Sequence, residues 1–232
     1  MELDLLPEAY QRELARSASQ VPPMNRALIR SVITKELGMP PEELFQSFNP
    51  VPFAGASLGQ VHRAVSQDGE TLAVKVQYPG VAEAMKSDMQ MFASVLKLTP
   101  LSKMLSGLLP ELEARMYEEL DYTLEAETTS WFRENCTLEN IIIPRVYDEY
   151  SSGKVLTTSI IEGLHLEEWL ATGPSKELKD QYGQTLCDLF SESVHDHRMI
   201  HADPNLGNFL FRDDGMLGVI DFGCVKRLDD EF

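Results

Sequence analysis

Two short motifs near the end of the chain carry oxygen-bearing side chains at close spacing. Asp203 lies two residues after His201 and five before Asn208, and Asp221 opens the tripeptide Asp-Phe-Gly. In phosphoryl transfer from Mg-ATP, one carboxylate orients the attacking hydroxyl or water, while an amide and a second carboxylate hold the metal. We therefore predict that Asp203 orients the nucleophile and that Asn208 and Asp221 ligate Mg²⁺.

Each motif taken alone also has a simpler explanation, in which Asp203 caps a turn and Asp221 belongs to a turn that merely ends a strand. The sequence between them favours the catalytic interpretation. Two apolar runs, 209–211 and 217–220, flank an Asp-Asp-Gly turn, a pattern typical of a β-hairpin. Such a hairpin would bring Asn208 and Asp221 close together.

An earlier hairpin carries one lysine in a distinctive position. Two strand-like runs flank Asp68-Gly69, and the second of them, residues 71–76, alternates apolar side chains with Ala73 and Lys75. In protein kinases a small residue two positions before a strand lysine admits adenine, and the lysine holds the α- and β-phosphates. We predict these roles for Ala73 and Lys75, with an exposed strand lysine as the alternative.

The segment that begins this hairpin consists mainly of small residues. It overlays the phosphate-loop pattern G-x-G-x-x-G-x-V with Gly59 and Val61 retained, while Ala54 and Ala56 replace the first two glycines. Small side chains let backbone N–H groups approach phosphate oxygens, although alanine makes the loop stiffer. A tight turn into a strand is the alternative. The predicted nucleotide-binding positions are Ala54, Gly55, Ala56, Ser57, Gly59 and Val61.

A long helix predicted over residues 110–135 carries a group of acidic residues. Glu118, Asp121 and Glu125 fall on one face, with Glu119 beside them. Like charges at this spacing repel, so we expect a cation, either the lysine described above or Mg²⁺, to offset them. A solvated acidic face is the alternative.

The remaining pattern predicts a mixed α and β chain. Glu162 and Gly163 follow a predicted strand, and we predict that they form a hinge whose backbone groups pair with adenine. Helices are predicted over residues 8–18, 23–37, 41–48, 81–98 and 175–198, and strands over 141–143 and 154–161.

Composition restricts the classes of partner. The net charge of −17 disfavours docking onto nucleic acid or an anionic lipid surface. The three cysteines are far apart and lack the spacing of a zinc site or a disulfide framework, so we expect free thiols in the cytoplasm. The first residues lack the basic start of a signal peptide, and charged residues and a proline interrupt the apolar segment 89–109, so we expect no transmembrane span.

Together these motifs resemble the AarF/ABC1/UbiB family of atypical kinases, from about residue 3 to the C-terminus. The resemblance implies an α+β, protein-kinase-like fold with two lobes. We expect a helical extension over 1–50, an N-lobe with an antiparallel sheet over 51–163, and a mostly helical, truncated C-lobe over 164–232. The most specific pieces are residues 52–64, residues 74–81, Glu119-Leu120-Asp121-Tyr122 with Glu125-Ala126, and His201-Ala202-Asp203-Pro204.

The same resemblance implies functions for the chain and for its matching residues. The family is linked to ubiquinone biosynthesis and to lipid or isoprenoid metabolism, with ATPase activity better supported than protein phosphorylation. The matching residues are Lys75 for ATP binding, Glu125 as its partner, Glu119 and Asp121 as the E-x-D motif, Asp203 as the catalytic aspartate, and Asn208 and Asp221 as Mg²⁺ ligands.

Three departures from the family pattern bear on this expectation. The chain begins after the position of the family's K-x-G-Q motif, and it ends shortly after Gly223, where the family's helical lobe continues. Gly55 stands where a second alanine is usual, which loosens the loop.

We therefore expect a kinase or ATPase that uses ATP and Mg²⁺ and transfers the γ-phosphoryl group to water or to a small or lipid-like acceptor, such as an isoprenoid-quinone precursor. Two alternatives stay open: a nucleotide-binding regulator without turnover, and a small-molecule kinase of the aminoglycoside or choline type. We expect the protein to be cytoplasmic, either free or peripheral to a membrane.

Overall fold

The structure, a computed structural model, describes residues 24–97, 107, 109–203 and 205–228. Within these ranges, no helix is both long and apolar enough to cross a membrane. The helices are α1 (Arg26–Leu37), α2 (Pro41–Leu44), α3 (Val81–Lys97), α4 (Leu109–Glu119), α5 (Tyr122–Asn135), α6 (Leu166–Ala171) and α7 (Lys176–His195). The strands are β1 (Ser47–Phe48), β2 (Ala54–Ala56), β3 (Gly59–Val65), β4 (Thr71–Gln77), β5 (Ile141–Ile142), β6 (Val155–Ser159), β7 (Met199–His201), β8 (Phe209–Phe211), β9 (Leu217–Val219) and β10 (Val225–Arg227).

A five-stranded antiparallel sheet forms the framework of the first lobe. Strand β3 pairs with β4 along its whole length, β6 pairs with the other edge of β4, and β1 and β2 both pair with the outer edge of β3. As the alternation predicts, Leu72 and Val74 of β4 are fully buried on one face, beneath Ile29 and Ile33 of α1. Lys75 lies on the opposite face, which leaves it pointing away from this core.

The second lobe is built around an aromatic core. Strands β8 and β9 form the predicted hairpin, β5 joins β9 in parallel, and β7 pairs with β10. Trp169 of α6 and Tyr182 of α7 pack against Phe211 of β8, with ring centroids 5.1 and 5.0 Å apart. The Tyr182 hydroxyl also accepts a hydrogen bond from the backbone N–H of Arg212 at 2.9 Å. These contacts fix the hairpin that leads into Asp221.

Some element boundaries differ from the sequence prediction. The helix predicted over 41–48 ends at Leu44, because Ser47 and Phe48 pair with β3 as strand β1. Helices α1, α3 and α7 are present close to their predicted ranges, whereas α6 and the β7–β10 pair have no counterpart in the prediction. The helix predicted over 8–18 lies outside the described residues.

One histidine lies inside the first core. The ring of His62 on β3 is fully buried and stacks on Phe48, with centroids 5.2 Å apart. Its Nδ1 lies 3.0 Å from the backbone carbonyl of Asn49. A carbonyl only accepts, so Nδ1 carries a hydrogen in this contact. Burial lowers the pKa of His62, although the hydrogen bond to Asn49 opposes that effect.

We expect His62 to make the fold sensitive to mild acid. Above pH 6.5, the ordinary histidine pKa, its contribution is fully present. Below that pH the unfolded chain binds a proton that the folded chain excludes, so the free energy of unfolding should fall by up to about 1.4 kcal/mol per pH unit. Denaturant unfolding between about pH 7.5 and pH 5.5 measures this slope.

Two variants isolate this effect. His62→Phe keeps an aromatic ring on Phe48 and should show a shallower pH slope than the wild type. His195→Gln removes an exposed histidine at the end of α7 and should leave the slope unchanged. Equal slopes for His62→Phe and the wild type would exclude His62 as the titrating group.

Candidate functional site

The side chain of Lys75 is the centre of the site. It reaches from β4 to α5, where its Nζ lies 2.8 and 2.7 Å from the two carboxylate oxygens of Glu125. Oδ2 of Asp221, in the segment after β9, lies 3.5 Å from the same nitrogen. The fold therefore brings together three predicted site residues, although Lys75 precedes Glu125 by 50 positions and Asp221 by 146.

The ion pair between Lys75 and Glu125 is largely removed from water, with side chains 14% and 7% exposed. Burial opposes the charge on Lys75, but the carboxylates of Glu125 and Asp221 outweigh it and raise the pKa of the ammonium. The ring centroid of Tyr122 lies 4.9 Å from Nζ and adds a cation–π attraction. Lys75 is therefore a fixed positive charge at neutral pH.

The loop that carries Asp203 is held by its own polar side chains. Asn208 donates from Nδ2 to Oδ2 of Asp203 at 2.7 Å, and the backbone N–H of Asn205 donates to Oδ1 at 3.1 Å. A short 3-10 helix, Leu206–Asn208, spans the interval. The structure thus joins Asp203 and Asn208, for which the sequence predicts separate roles, by a direct hydrogen bond.

Asp221 is fixed by contacts on both sides. Its Oδ1 accepts from the backbone N–H of Gly223 at 2.9 Å, and its backbone carbonyl accepts from Nε2 of His201 at 2.6 Å. The next ring, Phe222, is buried against Phe132 of α5 with centroids 5.0 Å apart. The Asp-Phe-Gly segment therefore contacts α5 through Phe222 and β7 through His201. No role was predicted for His201 from the sequence.

The predicted acidic helix face is wrong, because the backbone turns at Leu120 and divides the helix into α4 and α5. Asp121 caps α5, accepting from the backbone N–H of Thr123 at 2.9 Å, and it is exposed. Gln77 of β4 holds the turn by donating to the Leu120 carbonyl at 2.8 Å. The acidic group is therefore not continuous.

Glu119, the last residue of α4, remains with the site. Burial, followed by the nearby carboxylate of Asp221, raises the pKa of Glu119, while Lys75 opposes the shift and Asp203 adds to it. Glu119 is therefore within electrostatic range of both halves of the site. By contrast, Glu118 pairs with Arg115 on the exposed side of α4, at 2.7 Å.

The small-residue loop folds as a tight hairpin between β2 and β3. Ala54 pairs with Val61 and Ala56 with Gly59, which leaves Ser57 and Leu58 in the turn. Val61 lies opposite Lys75 across the β3–β4 ladder, and Ala73 lies two residues away on the same face of β4. A Cβ at Gly59 would stand 2.3 Å from the carbonyl oxygen of Val76, so only glycine fits there. Gly55 has no such constraint.

The predicted hinge packs on the β8–β9 hairpin. Leu164 exchanges backbone hydrogen bonds with Phe211, at 2.9 and 2.8 Å. A Cβ at Gly163 would stand 2.9 Å from Cβ of Leu210, so the connection approaches the hairpin closely. The carbonyl of Glu162 accepts from Nη1 of Arg212 at 3.4 Å.

The donor atoms fit a hard cation that arrives with phosphates. Among the described residues, no group of three or more His, Cys, Asp or Glu could hold a metal by itself. Magnesium keeps several waters and takes one or two protein carboxylates together with substrate phosphates. The Asp221 carboxylate and the side-chain carbonyl oxygen of Asn208 are donors of this kind.

Two surface cavities lie elsewhere in the described part of the chain. One, of about 410 Å³, is lined by α1, and the other, of about 320 Å³, lies between α1, the turn at Tyr78 and the start of α3. None of the predicted site residues lines either cavity. The site is thus recognised by its charged groups and not by an enclosed volume.

A sheet-containing lobe that carries a paired lysine, joined to a second lobe that carries two loop aspartates and an asparagine, defines a kinase-like domain. The family model for the ABC1 atypical kinase-like domain matches residues 16–232. The chain belongs to this family.

Relatives of this chain include named kinases. Protein ACTIVITY OF BC1 COMPLEX KINASE 3, chloroplastic, from Arabidopsis thaliana is 33% identical over 98% of this chain and 33% of its own length. Probable serine/threonine-protein kinase abkD from Dictyostelium discoideum is 29% identical over 98% of this chain and 34% of its own length. The chain thus spans about a third of these relatives.

A solved structure confirms the fold. The complex of Rv3197 with erythromycin from Mycobacterium tuberculosis is 32% identical to this chain and superposes with a TM-score of 0.79. The match covers 96% of this chain and 57% of that one. The expected family and the kinase-like α+β fold are therefore both confirmed.

We expect the Lys75–Glu125 pair to dominate the stability of the site. Glu125→Ala leaves a buried ammonium with only a partial partner and should lower the free energy of unfolding by about 3 kcal/mol. Glu118→Ala, which breaks the exposed Arg115 pair, should cost under about 1 kcal/mol. Denaturant unfolding measures both, and the double variant Lys75→Met/Glu125→Leu should recover most of the loss. Equal losses for the two alanine variants would contradict this assignment.

We expect Asp121 to act as a helix cap and not through its charge. Asp121→Ala removes the hydrogen bond to the Thr123 N–H and should lower the free energy of unfolding by about 1 kcal/mol. Asp121→Asn keeps an oxygen at the same position and should retain stability. Thermal unfolding compares the variants, and a loss in Asp121→Asn as large as in Asp121→Ala would show that the charge is needed.

Proposed function

We propose that this domain binds Mg-ATP between its lobes and catalyses transfer of the γ-phosphoryl group, as an atypical kinase or ATPase. The observation that carries the proposal is the position of the Lys75 ammonium, paired with Glu125 and within reach of Asp221. A lysine held in this way matches the lysine–glutamate pair and metal-binding aspartate that phosphoryl transfer requires in protein kinases. Membership of the ABC1 family supports the same reading over a kinase of the aminoglycoside or choline type.

In the proposed reaction the protein positions the nucleotide and stabilises charge. Lys75 would bind the α- and β-phosphates, the Ala54–Ala56 strand and its turn would cover them, and the backbone at Glu162 would pair with adenine. Asp203, oriented by its bond to Asn208, would accept the proton of the attacking hydroxyl or water. Asp221 and Asn208 would hold Mg²⁺, which when bound neutralises negative charge that develops on the phosphates.

We propose water or a small or lipid-like molecule, such as an isoprenoid-quinone precursor, as the acceptor. The name of the Dictyostelium relative adds a protein hydroxyl to the acceptors that need testing. We propose residues 51–163 and 164–232 as the two lobes, joined at Glu162–Gly163, with β5 of the first segment adding to the sheet of the second lobe. The described cysteines Cys136, Cys187 and Cys224 are free thiols, which supports a reducing, cytoplasmic compartment.

Titration calorimetry with Mg-ATP, beside a phosphate-release assay, tests the proposal. Asp203→Asn keeps the size of the side chain and one of its two acceptor oxygens but loses the carboxylate that accepts the proton, so turnover should fall about a hundredfold or more with little change in nucleotide affinity. Asp221→Asn weakens the metal site, so Mg-ATP binding itself should weaken. Asp180→Asn, an exposed residue paired with Lys176 on α7, is the matched control and should change neither quantity.

The outcomes separate the alternatives. Binding of Mg-ATP by the wild type without phosphate release, in the presence of water, lipid and protein acceptors, would favour a nucleotide-binding regulator. Equal loss of binding and turnover in Asp203→Asn would refute its role with the nucleophile. Absence of nucleotide binding by the wild type would overturn the proposal as a whole.

A further inference from the structure

The side chain of Tyr122, the first residue of α5, is buried, yet its hydroxyl has no hydrogen-bond partner within the part of the chain that the structure describes. The residue is 2% exposed. Burying a hydroxyl without a partner is unfavourable, and a phenylalanine would fill the same space without that cost. The hydroxyl is therefore a candidate for a partner that the polypeptide itself does not provide.

The position of this hydroxyl indicates what the partner is. It would lie 3.0 Å from a Cβ built on Gly59, so it faces β3 at the end of the small-residue loop. The ring lies 4.9 Å from Nζ of Lys75. Gly59 pairs with Gln77 and Val61 with Lys75, so the hydroxyl stands on the face of the sheet that carries the lysine. The hydroxyl end of the side chain is therefore next to the loop, while its ring is next to the ammonium.

A ligand atom at this location must suit both neighbours. The ammonium attracts an anion, and the loop presents backbone rather than a competing carboxylate. Burial also raises the pKa of Tyr122, which keeps the hydroxyl protonated and able to donate. A phosphate oxygen satisfies these conditions, because it carries negative charge and can accept hydrogen bonds from both the Tyr122 hydroxyl and the Lys75 ammonium.

We propose that the Tyr122 hydroxyl donates a hydrogen bond to a phosphate oxygen of the bound nucleotide, next to Lys75. This inference rests on the proposed function and assigns a further phosphate-binding residue within it. The backbone N–H of Tyr122 donates to the Gly153 carbonyl at 3.1 Å, and Asp121 caps the same helix turn, so the start of α5 is anchored. The hydroxyl oxygen itself is covered, and a phosphate oxygen reaches it by displacing the groups that pack on it.

Tyr122→Phe tests the assignment, because it keeps the ring over Lys75 and removes only the hydroxyl. The melting temperature of the unliganded variant should equal or exceed that of the wild type, since an unpaired buried group is lost. Calorimetry should show Mg-ATP binding weakened by roughly tenfold or more, the value of a hydrogen bond to a charged group. Adenosine, which lacks phosphates, should bind both proteins equally.

Tyr182→Phe is the matched control. Tyr182 is equally buried at 2% exposure, but its hydroxyl is bonded to the backbone of Arg212 and Met216. Removing that hydroxyl should lower the melting temperature and leave the affinity for Mg-ATP unchanged. Tyr122→Phe should therefore weaken binding without lowering stability, and Tyr182→Phe should lower stability without changing binding.

The results distinguish this inference from the function on which it rests. If the wild type binds Mg-ATP and Tyr122→Phe binds it equally well, the phosphate contact is refuted while the proposed function stands. If Tyr122→Phe weakens adenosine and Mg-ATP by the same factor, the hydroxyl supports the fold of the pocket and the phosphate assignment is wrong. If the wild type binds no nucleotide, both proposals fail.

Discussion

The placement of one buried ammonium group governs the rest of this structure. Lys75 bonds to Glu125 at 2.7 Å and lies 3.5 Å from Asp221, so a strand, a helix and a distant loop must meet at a single nitrogen. A buried charge without partners is strongly unfavourable, whereas a paired one is tolerated. The fold is therefore stable only when the sheet register, the start of α5 and the segment after β9 are correct together.

The turn between α4 and α5 is what allows this convergence. A continuous helix would carry Glu119 and Glu125 on a common path, whereas the turn at Leu120 leaves Glu119 near Asp221 and directs Glu125 at the lysine. Gln77, two residues after Lys75 on β4, donates a hydrogen bond to the Leu120 carbonyl. The same strand therefore positions both the lysine and the helix that carries its partner Glu125. A core substitution that moved β4 would disturb both.

The residue types of the site could be predicted from the sequence, and part of its geometry could not. Alternation in β4 predicted the face of Lys75, and the apolar runs predicted the hairpin that brings Asn208 towards Asp221, because both patterns are local. The turn at Leu120 contains no glycine or proline, and it depends on a hydrogen bond from Gln77, which is distant in sequence. The unpartnered hydroxyl of Tyr122 likewise appears only when Gly59 and α5 are seen together.

The charge balance at the site bears on the form of its ligand. Glu119 lies within electrostatic range of Asp203 and Asp221, and Glu125 already neutralises the charge of Lys75. A nucleoside triphosphate without its metal would bring more negative charge to these carboxylates, and like-charge repulsion would oppose its binding. The divalent cation of Mg-ATP offsets both the carboxylates and the phosphates. The acidic side chains, which taken alone disfavour an anionic ligand, therefore fit the proposed function only when the nucleotide and its metal bind as one unit.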